Sequence, residues 1–300
     1  MTAVNLDAVQ AALATVKDPE IHRPITDLGM VDNVDIDPNG HVTVAILLTI
    51  AGCPLQSSIR DSVISAVSRV EGVTAVDVTL GVMTDEQRRA MRQKLQGPGA
   101  QKDIPFNKPG NHTTVYAVTS GKGGVGKSST TVNLAATLAK RGFSVGILDA
   151  DIYGHSIPPM LGSTMPPTKV DDMMMPPEAH GVKCISIAQF TAGNAPVVWR
   201  GPMLHRALQQ FLTDVYWGDL DFLLLDLPPG TGDIALSIPS LLPNSQLLIV
   251  TTPQTAAAEV AERSGMMAAQ TKQKVVGVIE NMSWMELPDG STAVSYTHLT

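Results

Sequence analysis

Two hydrophobic periods run through this chain, and the points where they switch mark its elements. Residues 6–16 set Leu6, Val9, Ala12, Leu13 and Val16 on or near one helical face, and Asp18-Pro19 closes the run. Residues 31–36 alternate apolar and polar, Asn39-Gly40 is a hairpin turn signal, and residues 42–50 read as the strong returning strand. A helical pattern over residues 55–70 and a third alternating strand over 73–80 come next, then a polar helix over 85–96 that predicts only light docking. Together these predict a small α+β domain over residues 1–96. Gly97-Pro98-Gly99, Pro105, Pro109 and Gly110 then interrupt all periodicity, so residues 97–114 read as a linker, with His112 solvated near its far end.

From residue 115 the pattern changes to continuous apolar strands alternating with helices. Strands are expected near residues 114–119, 144–148, 182–187, 221–225, 247–252 and 275–279. That rhythm predicts an α/β fold, a doubly wound and mostly parallel sheet filling residues 115–300. Between its first strand and a helix over 128–140 lies Gly121-x-x-x-x-Gly126-Lys127-Ser128, with Gly123, Gly124, Val125 and Ser129 completing the loop. Strand, glycine-rich loop and helix stand where a phosphate cradle needs them. Glycines let the backbone wrap a phosphate, and the helix N-terminus offers free N–H groups and the positive end of its dipole. Lys127 would meet the β- and γ-phosphates and Ser128 would ligate Mg²⁺. Two more apolar strands deliver acids at their C-terminal ends: Asp149-Ala150-Asp151, and Asp226. Such ends are where α/β sheets bind ligands, although Asp149 and Asp151 also read as caps for the chain from Ile152 onward.

Composition narrows the class. The 300 residues carry a formal charge of −7, with 44% apolar and 16% charged residues, as expected of a folded globular chain rather than a general polyanion binder. No apolar run reaches membrane-spanning length, and the N-terminus lacks the basic and apolar regions of a signal peptide, so a cytosolic location is expected. Two cysteines, Cys53 and Cys184, supply no disulfide framework. Cys184, inside an apolar strand, reads as an inert core residue. Met173-Met174-Met175 reads either as a soft-metal site or, better, as a loop packing its thioethers on apolar surface.

A second lysine, Lys122, directly follows the loop's first glycine. Here the chain resembles the deviant Walker A ATPases, which include nitrogenase iron protein, MinD and ParA. The resemblance implies that Lys122 reaches the nucleotide of a partner subunit in an ATP-sandwiched homodimer; a solvated lysine on a loop is the plainer reading. It also implies catalytic roles for Lys122, Lys127 and Asp151, the last positioning the attacking water. Asp149 and Asp226 would stand near Mg²⁺ with Ser128, the backbone N–H of Gly230 would sense the γ-phosphate, and Asn281 would read adenine. Asn281 alone would otherwise be a turn residue. The Asn-Lys-x-Asp base signature of G proteins is absent, since Asn107-Lys108-Pro109-Gly110 lacks the acid, which favours ATP over GTP. The string Asp226-Leu227-Pro228-Pro229-Gly230-Thr231-Gly232-Asp233, residues 149–161 and Trp199-Arg200-Gly201-Pro202-Met203 resemble the Mrp/ApbC-type iron–sulfur carrier branch over residues 115–282.

Asp18-Pro19-Glu20, Asp27-Leu28-Gly29-Met30-Val31, Thr49 and Gly52-Cys53-Pro54 in turn resemble iron–sulfur assembly domains of the SufT/PaaD type. A thiol before a helix is a reactive or metal-binding candidate, so Cys53 is either that or a small buried hydrophobe. Many members of the carrier branch hold a bridging 4Fe–4S cluster through a Cys-x-x-Cys pair after Asn281, but residues 283–290 contain no cysteine here. The tail at residues 295–300 does not resemble the family's continuation, and a C-terminally incomplete chain is expected. The resemblance implies an ATP-hydrolysing carrier that binds and transfers iron–sulfur clusters, with apo-proteins and the assembly machinery as partners and nucleic acid not among them. The alternative is a ParA- or MinD-like positioning switch acting on DNA or membrane.

Overall fold

The structure, a computed structural model, describes residues 4–50, 55–96, 103–151, 154, 156–163, 165–190 and 201–293. In chain order the first half contains α1 (Leu6–Ala14), β1 (Val31–Ile36), β2 (His41–Leu48), α2 (Gln56–Val67), β3 (Ala75–Val82), α3 (Asp85–Gln96), β4 (Thr114–Ser120), α4 (Lys127–Lys140) and β5 (Val145–Asp149). The second half contains α5 (Ile157–Met160), β6 (Thr168–Val170), β7 (Met173–Met175), β8 (Glu178–Ala179), β9 (Val182–Ser186), α6 (Gly201–Thr213), β10 (Phe222–Asp226), α7 (Asp233–Leu241), β11 (Gln246–Thr251), α8 (Thr255–Gln270), β12 (Lys274–Glu280), β13 (Met285–Glu286) and β14 (Thr292–Ala293). The chain divides into two compact units, residues 1–101 with 168–175, and residues 102–167 with 176–300.

The first unit holds a three-stranded sheet in the order β1-β2-β3. The β1–β2 pair is antiparallel, as the hairpin signal predicts, and β2–β3 is parallel. A parallel pair needs a crossover, which α2 supplies. Strand β2 buries every second residue, Val42, Val44, Ile46 and Leu48. Apolar residues of α1 (Val9, Leu13) and α2 (Ile59, Val63, Val67) are buried as well, at the spacing the sequence predicts. The polar helix α3 is held more firmly than its composition suggests. Met91 is only 1% exposed. Around it Arg88 donates to the Met83 carbonyl (2.8 Å), Lys94 to the Asp27 carbonyl (3.2 Å), and Arg92 pairs with Asp171 (3.0 Å). Long cationic side chains hold this helix by reaching backbone and acid, an option that hydrophobic periodicity does not register.

The methionine run is a strand rather than the expected loop. Met173–Met175 pairs antiparallel with Thr168–Val170 around the turn Asp171-Asp172, and all three methionines are buried. Thioethers packed away from water match the apolar reading of this stretch, while the strand arises from pairing that single-sequence pattern does not show. Thr168 donates to Glu20, at 3.1 Å from each carboxylate oxygen.

The second unit is a seven-stranded sheet in the order β12-β11-β4-β10-β5-β9-β8, parallel except for the antiparallel edge strand β8. This is the mostly parallel α/β sheet expected from the sequence. Strand β4 lies inside the sheet, and the chain moves to one side of it through β5 and to the other through β11. Strand ends at such a switch point open a crevice. One core cluster joins Val118, Ile147, Leu224 and Val250 from four strands to Ala135 of α4 and to Cys184, which is fully buried as predicted. From residue 102 the chain belongs to this second unit. Ile104 and Phe106 are buried, Phe106 sits 6.5 Å from the Trp217 ring, and Asn107 donates to the Leu241 carbonyl (2.7 Å), while His112 is exposed.

Two outcomes test these cores. A Cβ on Gly146 of β5 would stand 2.9 Å from the buried Trp217 ring and 2.8 Å from Leu220, so Gly146→Ala should cost roughly 1–3 kcal/mol in urea unfolding. In the first unit, burial pushes the Asp18 carboxyl above its ordinary value of 3.8, against the hydrogen bonds it accepts from Ile21 and Glu20. The folded state then binds this proton more tightly than the unfolded one. The contribution of Asp18 to stability is greatest below 3.8 and is lost as pH rises through the folded value. Asp18→Asn keeps the accepting Oδ1, so its stability should gain on the parent as pH rises; a constant difference across pH would contradict this.

Candidate functional site

The site begins with a helix start that lacks a cap. Helix α4 has Gly126 at its N-cap, and no side chain bonds to its first amides. Those donors are left for a ligand. Gly126 adopts φ 85°, and a Cβ there would strike the amide nitrogen of Asn281. At the other end of the loop, a Cβ on Gly121 would fall 2.5 Å from the Val260 backbone carbon and 2.6 Å from the Ala261 nitrogen. The first glycine is therefore demanded by the packing of α8 under the loop, and the fourth by backbone conformation and by Asn281.

Strand register brings the acids to this helix. Asp226 ends β10 directly beside Val118 of β4 on one side and Asp149 of β5 on the other. It has no exposed surface, and Lys127 is 6% exposed. Lys127 Nζ lies 2.7 Å from Asp226 Oδ2 and 3.8 Å from Asp151 Oδ2. Ser128 donates to the same Asp226 oxygen at 2.6 Å, and the Thr131 hydroxyl lies 2.9 Å from the other one. Sequence reasoning did not single out Thr131. It sits one turn after Lys127 on the buried face of α4, so helical spacing alone contained that signal.

The two acids of β5 and its following loop differ sharply. Asp149 is completely buried and accepts from the Ser186 hydroxyl (2.9 Å) and from the backbone of Asp151 (3.2 Å) and Ile157 (3.4 Å). Burial first, and the charge of Asp226 second, push its carboxyl up to about 6. Its oxygens are occupied within the protein. That geometry suits a residue shaping the loop that carries Asp151, and gives no direct support to the metal role expected of Asp149. Ser186 also escaped the sequence reading; it pairs in register with Asp149 only once β9 is placed beside β5. Asp151 is 8% exposed and lines the cleft above the loop, with Gly154 donating to its Oδ1 at 3.0 Å.

A cleft of about 800 Å³ opens over these groups. Gly123, Gly124, Gly126, Lys127, Ser128, Ser129 and Asp151 form its polar end, while Met160, Leu204, Pro228, Pro229 and Ile234 form an apolar wall. The remaining expected residues belong to the loop or contact it. Val125 is buried beneath the loop. Gly230 donates its backbone N–H to the Ser120 carbonyl (2.8 Å). Asn281 follows β12 and donates its side-chain amide to the Val125 carbonyl (2.9 Å). Lys122 donates to Gln254 (2.6 Å). Cys53 lies outside the described residues, as do Ile152, Tyr153, His155, Trp199, Arg200 and the tail from residue 294. Among the described residues no group of three or more His, Cys, Asp or Glu is arranged to hold a metal, and no helix is long and apolar enough to cross a membrane.

A family model described as NUBPL iron-transfer P-loop NTPase matches residues 111–297. The chain belongs to that family. A second model, described as iron-sulfur cluster assembly protein, matches residues 6–96. A protein named iron-sulfur cluster carrier protein from Mycobacterium tuberculosis is 64% identical over 285 residues, covering 95% of this chain and 75% of that one. One of the same name from Bacillus subtilis is 42% identical over 93% of this chain and 78% of its own length. A solved nucleotide-binding protein from Archaeoglobus fulgidus, in complex with ADP, matches with a TM-score of 0.53 at 37% identity, covering 71% of this chain and 78% of that one.

The buried pair makes a stability prediction. Asp226→Ala would leave Lys127 nearly dry, with the Ser128 hydroxyl at 3.3 Å and Asp151 at 3.8 Å. It should lower the unfolding free energy of the nucleotide-free protein by roughly 3–5 kcal/mol, and adding Lys127→Met should recover much of that loss. A double variant no more stable than the single one in thermal unfolding would mean that the two groups are not coupled.

Proposed function

We propose that this chain hydrolyses ATP as a homodimer and thereby carries iron–sulfur clusters to apo-proteins. The observation that carries this reading is the convergence of Lys127, Ser128 and Asp151 on one cleft at an uncapped helix start, with Asp226 buried against Lys127 and Ser128. The relatives' names support the cluster-carrier side of the reading over a positioning switch on DNA or membrane, and the net charge of −7 offers no footing for nucleic acid. Apo client proteins and the assembly machinery are the partners this function requires, and the cytosol, where thiols stay reduced, is the compartment it suits.

The residues present fit Mg²⁺ and a nucleoside triphosphate. The Ser128 hydroxyl and the Asp226 carboxylate are hard oxygen donors 2.6 Å apart at the foot of the loop. Bound Mg²⁺ supplies neutralisation of phosphate charge. Lys127 is paired with Asp226, and phosphate would take the place of that carboxylate as its partner, leaving Asp226 as the acid that would hold Mg²⁺ with Ser128. Asp151, oriented by the Gly154 amide, holds the attacking water. The N–H of Gly230 must leave the Ser120 carbonyl to sense a γ-phosphate, which gives its loop two alternative bonds and hence two states. The Asn281 amide, bonded to the loop through its nitrogen, would read adenine through its oxygen. Lys122 reaches the partner subunit's phosphates.

The cargo site is the less complete part. A 4Fe–4S cluster, the class implied by the family resemblance, takes four thiolates. Two copies of this chain carry four cysteines, from Cys53 and Cys184 of each. Cys184 has no exposed surface, and burial, then the charge of Asp149, push its thiol up and hold it protonated. Within residues 1–300, Cys53 is then the thiol left for a cluster, two per dimer.

Lys127→Ala should reduce ATP turnover by about 10²-fold or more, and nucleotide-dependent cluster delivery with it. Native turnover in that variant would sink the catalytic reading. After anaerobic reconstitution, Cys53→Ser should hold less iron and acid-labile sulfide than the parent; equal content in both would remove Cys53 from the cargo site.

A further inference from the structure

We infer that Gln254 is the resting partner of Lys122: a positioning residue that holds this ammonium within its own subunit until phosphate draws it away. The inference deepens the proposed function, and rests on it for the destination of the released lysine. Lys122 Nζ donates to Gln254 Oε1 at 2.6 Å, and both residues are half-buried. The residue type is a poor choice for anything else at this position. Gln254 is the N-cap of α8, where Ser, Thr, Asp or Asn is preferred, and its side chain makes no capping bond. The helix start does without a cap while the amide oxygen faces the loop.

The two partners are held in register by the backbone beneath them. Gly121 is packed against Val260 and Ala261 of α8 so closely that a Cβ would not fit, so the loop and this helix share one position. The Ser120 hydroxyl donates to the Lys122 carbonyl at 3.0 Å, fixing the residue from which the side chain departs. The bond at the tip is made to be given up. Its acceptor is neutral, so no ion pair is lost when the lysine leaves. The ammonium also stands at the positive end of the α8 dipole, which weakens the resting state. A doubly charged phosphate competes successfully against such an acceptor where it would compete less well against a carboxylate.

Two variants separate the latch from simple structural damage. Gln254→Leu removes the acceptor at similar size, and Gln254→Glu replaces it with an ion-pairing one. Lys122 should be acylated faster by a water-soluble amine reagent in nucleotide-free Gln254→Leu than in the parent, and more slowly in Gln254→Glu, read by peptide mass spectrometry. The concentration of a non-hydrolysable ATP analogue needed for half-dimerisation, read by sedimentation, should fall by about fivefold to tenfold in Gln254→Leu and rise in Gln254→Glu. Unchanged Lys122 labelling in both variants, with parental melting temperatures, would overturn the latch. Labelling shifts of opposite sign in chains that never dimerise with nucleotide would support the latch and count against the ATP-sandwiched dimer.

Discussion

A carboxylate without exposed surface governs the nucleotide unit. Asp226 ends a central strand with Val118 and Asp149 in register beside it, and four neighbours address it: Lys127, Ser128, Thr131 and, through charge, Asp149. Removing two opposite charges from water is costly, and their attraction offsets that cost only when geometry is good and the remaining lone pairs are used. Here both carboxylate oxygens are used. The arrangement ties α4 to the sheet through Lys127, Ser128 and Thr131; under the proposed function it is also the contact that phosphate would replace.

The supporting shell shows how burial distributes roles among like residues. Asp149 and Asp151 are two positions apart, yet one is enclosed by Ser186 and backbone amides while the other lines the cleft. Enclosure makes ionisation reluctant in Asp149 and commits its oxygens to shaping the loop. Asp151, also little exposed, lines the cleft instead. Loop motion is prefigured in the same currency of replaceable bonds. Gly230 on Ser120 and Lys122 on Gln254 are single hydrogen bonds to neutral acceptors, for which, under the proposed function, a phosphate would be the stronger anionic competitor.

In the first unit, stability and polarity are combined differently. The sheet and two helices bury the alternating and helical stripes that the sequence shows, but α3 and the hairpin β6–β7 depend on Arg88, Arg92, Lys94 and Glu20. Such contacts are weak singly when exposed. Their value here lies in placing polar segments around a few buried side chains, Met91, Val170, Met173 and Met175 among them.

By itself, the sequence determined the parallel α/β class and the glycine-rich loop with Lys127 and Ser128 between strand and helix, because these depend on local period and on residue types at fixed spacing; that residues 168–175 group with the first unit it did not show. It also placed Asp151 and Asp226 at strand ends, since a buried strand is legible from its apolar run. Tertiary structure decided the rest. Thr131 was within reach of helical spacing, but Ser186 and Gln254 become site residues only when β9 lies beside β5 and α8 beneath the loop. The enclosure of Asp149 and the pairing of the methionine strand are likewise properties of neighbours brought from far along the chain. Local pattern reports which face of an element is apolar. It does not report which polar group will find a partner once water is excluded, and that pairing is what separates a supporting carboxylate from a reacting one.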